Sequence, residues 1–286
     1  RTDRRTGGSR RRRNLAILVA LACLGLYAGY AGRRTPVAPQ QGSRISWPQG
    51  SGPVAKARFR VATYNIHRGK GTDGIRDLAR TAGVLRDTDL VGLNEVAGPA
   101  FWGWADQVEQ LGRNLKVGWQ FAPNQRRWHR EYFGNGLLSR LEVGRWTNAP
   151  LIYERVASHS HRSLLTAEVL AGPPAVTFMV THLDRGEIRP VQLQAVLAEF
   201  VRHTPAVLVG DFNSSTTDPL LVAFFTDANN VDAIGRVLGA SDDPNRIDWI
   251  ITRGLNVLTG GKEPVGVSDH PCYWVEVEIE KTGTME

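Results

Sequence analysis

Six short apolar runs in this chain end at, enclose or closely follow a residue that an apolar run tolerates poorly. Arg60–Ile66 contains Asn65, and Asp89–Val96 contains Glu95. Val176–Thr181 stops at His182, and Ala206–Gly210 is followed at once by Asp211 and Asn213. Asp248 lies inside Arg246–Ile251, while Asp269 and His270 precede Tyr273–Ile279. Continuous apolarity rich in β-branched residues marks strands buried on both faces. A carboxylate delivered by such a strand is costly unless it is paired or metal-bound. The fold must therefore gather these ends at one polar edge. Carboxylates and amides with imidazoles beside them suit a Mg²⁺-type oxygen site and proton transfer.

Between these runs the periodicity changes. Gly74–Arg86, Asp106–Leu115, Glu187–His203 and Pro219–Thr226 carry helical spacing, whereas Gly136–Leu138, Leu141–Tyr153, Ser163–Leu170 and Asn256–Leu258 read as further strands. Mixed β-β and β-α-β order predicts two largely antiparallel sheets with helices outside. Apolar residues at 42% and charged residues at 22% exclude global disorder. The two cysteines, Cys23 and Cys272, give no zinc spacing, and Cys23 lies in the apolar N-terminal run, away from any disulfide partner.

A net charge of +7 invites a nucleic-acid reading, but its distribution argues otherwise. Residues 1–34 hold nine Arg against one Asp, or +8; the remainder holds 26 Lys and Arg against 27 Asp and Glu, or −1. The basicity belongs to the N-terminus, where Leu15–Gly32 is free of charge. As a helix these residues span roughly 27 Å, close to the ~30 Å of a bilayer core. Seven Arg before the run and two after it place the N-terminus in the cytoplasm and the body outside. A cleaved signal peptide with Gly29-Tyr30-Ala31 as its site is the competing reading, and gives a secreted protein. Residues 33–57, rich in Pro, Gly, Ser and Gln, are expected to form a tether with little packed structure. The chain thus divides into a basic tail (1–14), an anchor (15–32), a linker (33–57) and one domain (58–286).

The motifs at the strand ends resemble those of the endonuclease/exonuclease/phosphatase superfamily, which includes DNase I, exonuclease III, neutral sphingomyelinases and inositol polyphosphate 5-phosphatases. The pieces fall in the family's order: Thr63-Tyr64-Asn65-Ile66-His67, Asn94-Glu95-Val96, Gly134 to Arg140, Thr181-His182-Leu183-Asp184, Gly210-Asp211-Phe212-Asn213, Arg246 to Ile250 and Ser268-Asp269-His270-Pro271. Any one tetrapeptide is weak evidence; the ordered set is strong. The resemblance implies a four-layer α/β/β/α sandwich of the DNase I-like class, preceded here by one transmembrane helix.

It also implies roles. Glu95 would be the main ligand of a Mg²⁺ ion, or of Mn²⁺ as a substitute, with Asn65 and Asp269 near the same ion. Asp211 and Asn213 would orient the attacking water, Asp211 as base. His270, oriented by Asp248, would contact the phosphate, and His182 would assist the leaving group. The family usually places Gln before the metal-binding Glu, and Asn94 stands there instead. Arg189-Pro190-Val191-Gln192 resembles an Arg-x-x-Gln of relatives, with a solvated helix start as its alternative. His67 and His129 fit no motif.

The expected substrate is a phosphodiester, in nucleic acid or in a phospholipid headgroup. Arg246-Ile247-Asp248-Trp249 replaces the Trp-Cys-Asp-Arg of inositol 5-phosphatases and argues against that activity. Asn124–Phe133 mixes arginines with aromatic residues and could grip phosphate, stack a base or touch lipid headgroups. Phe101-Trp102-Gly103-Trp104 is a second aromatic candidate. A monomer is expected. A catalytically silent, membrane-tethered binding domain on the same fold is the alternative.

Overall fold

The computed structural model describes residues 6–99, 103, 105–151, 161–239 and 243–280. Phe101, Trp102, Trp104 and the Tyr153 end of one expected strand lie outside the described residues. The chain opens with α1 (Thr6–Ala31), β1 (Thr35–Pro36) and β2 (Gln40–Gly42). β3 (Arg58–Asn65), α2 (Leu78–Val84), β4 (Leu90–Ala97) and α3 (Gln107–Leu115) follow, then the long hairpin β5 (Gly118–Arg127) and β6 (Arg130–Ser139). β7 (Val143–Pro150), β8 (Ser163–Val169) and β9 (Val176–His182) lead into α4 (Arg189–Phe200) and β10 (Ala206–Asp211). α5 (Pro219–Phe224), β11 (Val231–Asp232), α6 (Ala233–Leu238), β12 (Asp248–Arg253), β13 (Leu255–Glu263) and β14 (Cys272–Ile279) complete it.

Two mixed sheets result, ordered β1-β5-β6-β4-β3-β14-β13 and β11-β12-β10-β9-β8-β7-β2. Their inner faces share one core, in which Val61, Leu90 and Leu137 of the first meet Val180, Val207 and Ile250 of the second. The sheets approach closely at Gly92, where an added Cβ would collide with Val209. Ala82, Val108 and Leu111 cover the outer face of the first sheet, and Leu193, Val196, Phe200 and Leu221 that of the second. This is the layered α/β sandwich that the motifs imply. Each buried Val, Leu, Ile or Phe contributes roughly 1.5–3 kcal/mol.

Helix starts follow their caps. The helix expected from Gly74 begins at Leu78, because the Asp77 side chain accepts from the Ala79 and Arg80 amides. Asp106 caps α3 by accepting from the Glu109 amide.

The segment 33–57 departs from expectation. Thr35 and Pro36 pair with β5, Gln40–Gly42 with β7, and Ser46 bridges to Trp119. Val37 and Ile45 are buried, so this is a packed strap as far as the Trp119 bridge. Its strand pairings span only two or three residues, too few to leave a periodic signal. α1 contains one stretch, Arg12–Ala31, long and apolar enough to cross a membrane, and it is exposed along nearly all of its length.

The parallel pairs position the site. β3 runs beside β4 with Asn65 opposite Asn94, and β10 beside β9 with Asp211 opposite His182. Antiparallel β12 begins where β10 ends, with Asp248 opposite Asp211. The register alone therefore brings polar residues from both sheets to one end of the sandwich.

Candidate active site

Asp211 is the hub. It is fully buried, and both its backbone and its carboxylate are fixed: its amide donates to Asn94 Oδ1 at 2.9 Å, and its Oδ1 accepts the Asn213 amide at 2.9 Å. Oδ2 accepts from Asn65 Nδ2 at 3.1 Å and lies 3.4 Å from His182 Nε2 and 3.8 Å from His270 Nε2. Gly210 makes the approach possible. Its φ of 144° and the Thr181 carbonyl against its α-carbon leave no room for a Cβ.

Electrostatics separate the two aspartates and two histidines. Burial, then repulsion from Asp248, raises the Asp211 pKa to about 6 against the pull of His270. Burial also raises Asp248, whose Oδ2 takes His270 Nδ1 at 2.8 Å. For His270 burial works downward, but that hydrogen bond and the charges of Asp248, Asp211 and Asp269 outweigh it, and its pKa rises to about 9. His182 goes the other way. Burial, reinforced by Arg162, His270 and Arg185, holds it well below the usual histidine value, so its ring is neutral at pH 7. Among the described residues neither of its ring nitrogens has a hydrogen-bond partner.

Glu95 is placed by strain. Its φ is +55°, in the left-handed region, where β4 and β6 slip register between Leu93 and Val96. Bulges re-aim side chains, and non-glycine residues persist in this region where their surroundings impose it, often at functional sites. Asn213 shares the feature at φ +49°; its Nδ2 donates to the Leu183 carbonyl at 2.9 Å and its Oδ1 accepts from Arg185 Nε at 3.1 Å. Asp269 stands apart and half exposed, with its carboxylate 3.4 Å from His67 Nδ1.

The Asn94 departure has a structural counterpart. Its Nδ2 donates to Asn135 Oδ1 and to the Thr181 carbonyl, both at 3.0 Å, while its Oδ1 holds Asp211. The short amide therefore ties β4 of one sheet to β9 and β10 of the other. Arg189 and Gln192 are likewise engaged: Arg189 Nη1 donates to the Asn213 carbonyl at 2.6 Å, and Gln192 Oε1 accepts the Asp184 amide at 2.9 Å.

Arg162 is absent from the sequence inventory. It is 7% exposed, its Nε and Nη1 have no hydrogen-bond partner among the described residues, and Asp184, Asp211 and Glu95 act on it electrostatically. A buried guanidinium with free donors beside carboxylates is built for an oxyanion. The only sequence signal was a charge immediately before the apolar strand Ser163–Leu170.

Buried carboxylate oxygens at this edge suit a hard divalent cation, and among the described residues Asp248 Oδ1 is buried without a hydrogen-bond partner. Asp211, Asp248 and His270 place ligand-type atoms within 4.8 Å of one another. Within that trio His270 Nδ1 is bonded to Asp248 Oδ2, and Glu95 and Asp269 lie outside the cluster.

Sandwich and site together define a DNase I-like phosphoesterase fold. The profile of the Endonuclease/Exonuclease/phosphatase family matches residues 62–270, well over half of the chain, and the chain belongs to that family. Members are generally dependent on divalent metal. The endonuclease/exonuclease/phosphatase of Beutenbergia cavernae DSM 12333 is similar, at 26% identity and a TM-score of 0.64, covering 78% of this chain and 72% of that one. The protein of that family from Bacteroides vulgatus has 19% identity and a TM-score of 0.60, with 79% and 100% covered. D. rerio TDP2, complexed with a single-strand DNA product, has 17% identity and a TM-score of 0.59, with 77% and 99% covered. No curated protein sequence matches the chain.

Proposed function

We propose that this chain is a membrane-anchored phosphodiesterase that uses Mg²⁺, or Mn²⁺ in its place, and acts outside the cytoplasmic membrane. The observation that carries the reading is the convergence on Asp211: Asn65, His182 and His270, from separate elements, lie within 3.8 Å of one carboxylate oxygen. Glu95, with Asn65 and Asp269, would hold the cation, which supplies charge neutralisation at a phosphoryl oxygen. Asp211 takes the proton of the attacking water, and Asn213 fixes the carboxylate that does so. His270, held by Asp248, donates to a phosphoryl oxygen. Arg162 offers its unpartnered N–H groups to the same phosphate. His182, whose neutral ring keeps one N–H, would hydrogen-bond to the leaving oxygen. The water oxygen–phosphorus bond forms as the phosphorus–leaving-group bond breaks, with no covalent enzyme intermediate. Residues 15–32 serve as the anchor, 58–286 as the catalytic domain, and the protein works as a monomer.

The test is a substrate panel with the full chain in detergent: bis-p-nitrophenyl phosphate, plasmid DNA, RNA and phospholipid, with Mg²⁺, Mn²⁺ or chelator. Metal-dependent turnover is expected, and Asp211→Ala or His270→Ala should lower it about 10³-fold or more. A folded chain without turnover on any member would leave the silent binding domain as the reading.

A further inference from the structure

The hairpin of β5 and β6 overshoots the candidate catalytic edge. Ala97, at the end of β4, pairs with Phe133, so the turn at Trp128 and His129 lies four to five residues beyond it, about 13–17 Å at strand rise. Both turn residues have positive φ, 53° and 59°. Such a two-residue turn favours Asn-Gly, so an aromatic and an imidazole are held at the tip against backbone preference.

The tip meets the end of α1. The Trp128 amide donates to the Ala31 carbonyl at 2.6 Å, Arg127 Nε donates to the Gly32 carbonyl at 2.9 Å, and His129 stacks on Tyr27 with ring centroids 5.9 Å apart. Since α1 is otherwise exposed from Arg12 onward, helix and hairpin touch end to end. Tyr27, Tyr30 and Trp128 are exposed at this junction. Arg33, Arg126 and Arg127 line one surface with Tyr30, Trp128 and His129, Arg34 lies over the Tyr132 ring, and Arg130 and Glu131 line the groove beside Trp128. Amphipathic aromatics and arginines at the end of an apolar span are the chemistry of the headgroup layer. A groove of about 510 Å³ leads back from the tip, lined by Arg68, Arg76, Gln107, Arg127, Arg130 and Tyr132. Arg68 lies three residues beyond Asn65, and its guanidinium sits over the Tyr132 and Phe133 rings. The groove therefore joins the tip to the candidate catalytic edge.

We propose that the hairpin tip and the end of α1 form one docking surface for anionic phospholipid headgroups, turning the catalytic edge toward the membrane that α1 enters. The packed strap removes the alternative of a body swinging on a long leash. A lipid partner fits better than a nucleic-acid strand because the tip is bonded to the last turn of the span itself. The readings of α1 as a membrane span and of the edge as catalytic come from the proposed function; the contact between hairpin tip and helix end stands on the structure.

The full chain, reconstituted in phosphatidylcholine vesicles with and without phosphatidylglycerol, tests it. With brominated acyl chains, tryptophan fluorescence should be quenched, and Trp128→Phe should remove the quenched component. Arg126→Ala and Arg130→Ala should each weaken the phosphatidylglycerol dependence of quenching about fivefold. High salt should weaken it too. Identical quenching in wild type and Trp128→Phe would place the tip in water and overturn the proposal. So would loss of Trp128 quenching on adding a DNA oligonucleotide, which would assign the tip to nucleic acid. Turnover of bis-p-nitrophenyl phosphate without Trp128 quenching sinks docking alone, whereas Trp128 quenching without turnover of any diester supports docking and sinks the catalytic reading.

Discussion

Arg162 and Asp248 mark the two sides of what single residues in this sequence disclose. Asp248 was legible because a carboxylate between Ile247 and Trp249-Ile250-Ile251 needs a partner, and the structure supplies His270 at 2.8 Å. Arg162 was not, because a cation before a strand ordinarily sits in solvent; only the fold buries it beside Asp184, Asp211 and Glu95. Asn94 was visible as a departure, but its hydrogen bonds to Thr181 and Asp211 depend on the second sheet. A buried guanidinium with unmet donors opposes folding, so Arg162→Met should hold or raise stability, by about 1–3 kcal/mol. The same change should raise KM for a phosphodiester at least about tenfold, with Arg162→Lys intermediate. Urea unfolding and steady-state kinetics on the pair check this; lower stability with an unchanged KM would refute it.

At the scale of elements, the long apolar strands and capped helices could be read directly, and β3, β4, β9, β10 and β14 fall within two residues of expectation. β5 escaped because Gly118–Arg127 alternates poorly and includes Pro123, and α6 because six residues carry little helical signal. One cap has a pH signature. Burial raises Asp106, at the start of α3, to about 6, against hydrogen bonds from the Glu109 and Val108 amides. The folded state therefore holds this proton more tightly than the unfolded chain, whose Asp titrates near 3.9. Its contribution favours folding most below about pH 4 and falls away as pH rises to about 6. Asn also caps helices, so Asp106→Asn should match wild type near pH 4 and exceed it by about 1–2 kcal/mol above pH 6.5. Denaturant titrations of both proteins at the two pH values decide; a difference independent of pH would reject it.

For the whole molecule, the division into anchor and sandwich was legible from charge and apolarity, but the boundary between them was not. Composition suggested a loose leash up to residue 57, whereas Val37 and Ile45 are buried and the chain from Thr35 to Gly42 pairs with both sheets. A protein beginning at residue 35 should therefore be more stable than one beginning at 58, by roughly 3–5 kcal/mol from those two side chains. Equal unfolding midpoints would show the strap to be dispensable. The strap also covers the outer margins of β5 and β7, which would otherwise present unpaired N–H and C=O groups. Its own strands are two and three residues long, and Pro36 has no N–H to offer. The segment leading from the anchor thus discourages strand-by-strand self-association on a surface where tethering raises local concentration, making it a safeguard of solubility as well as a connection.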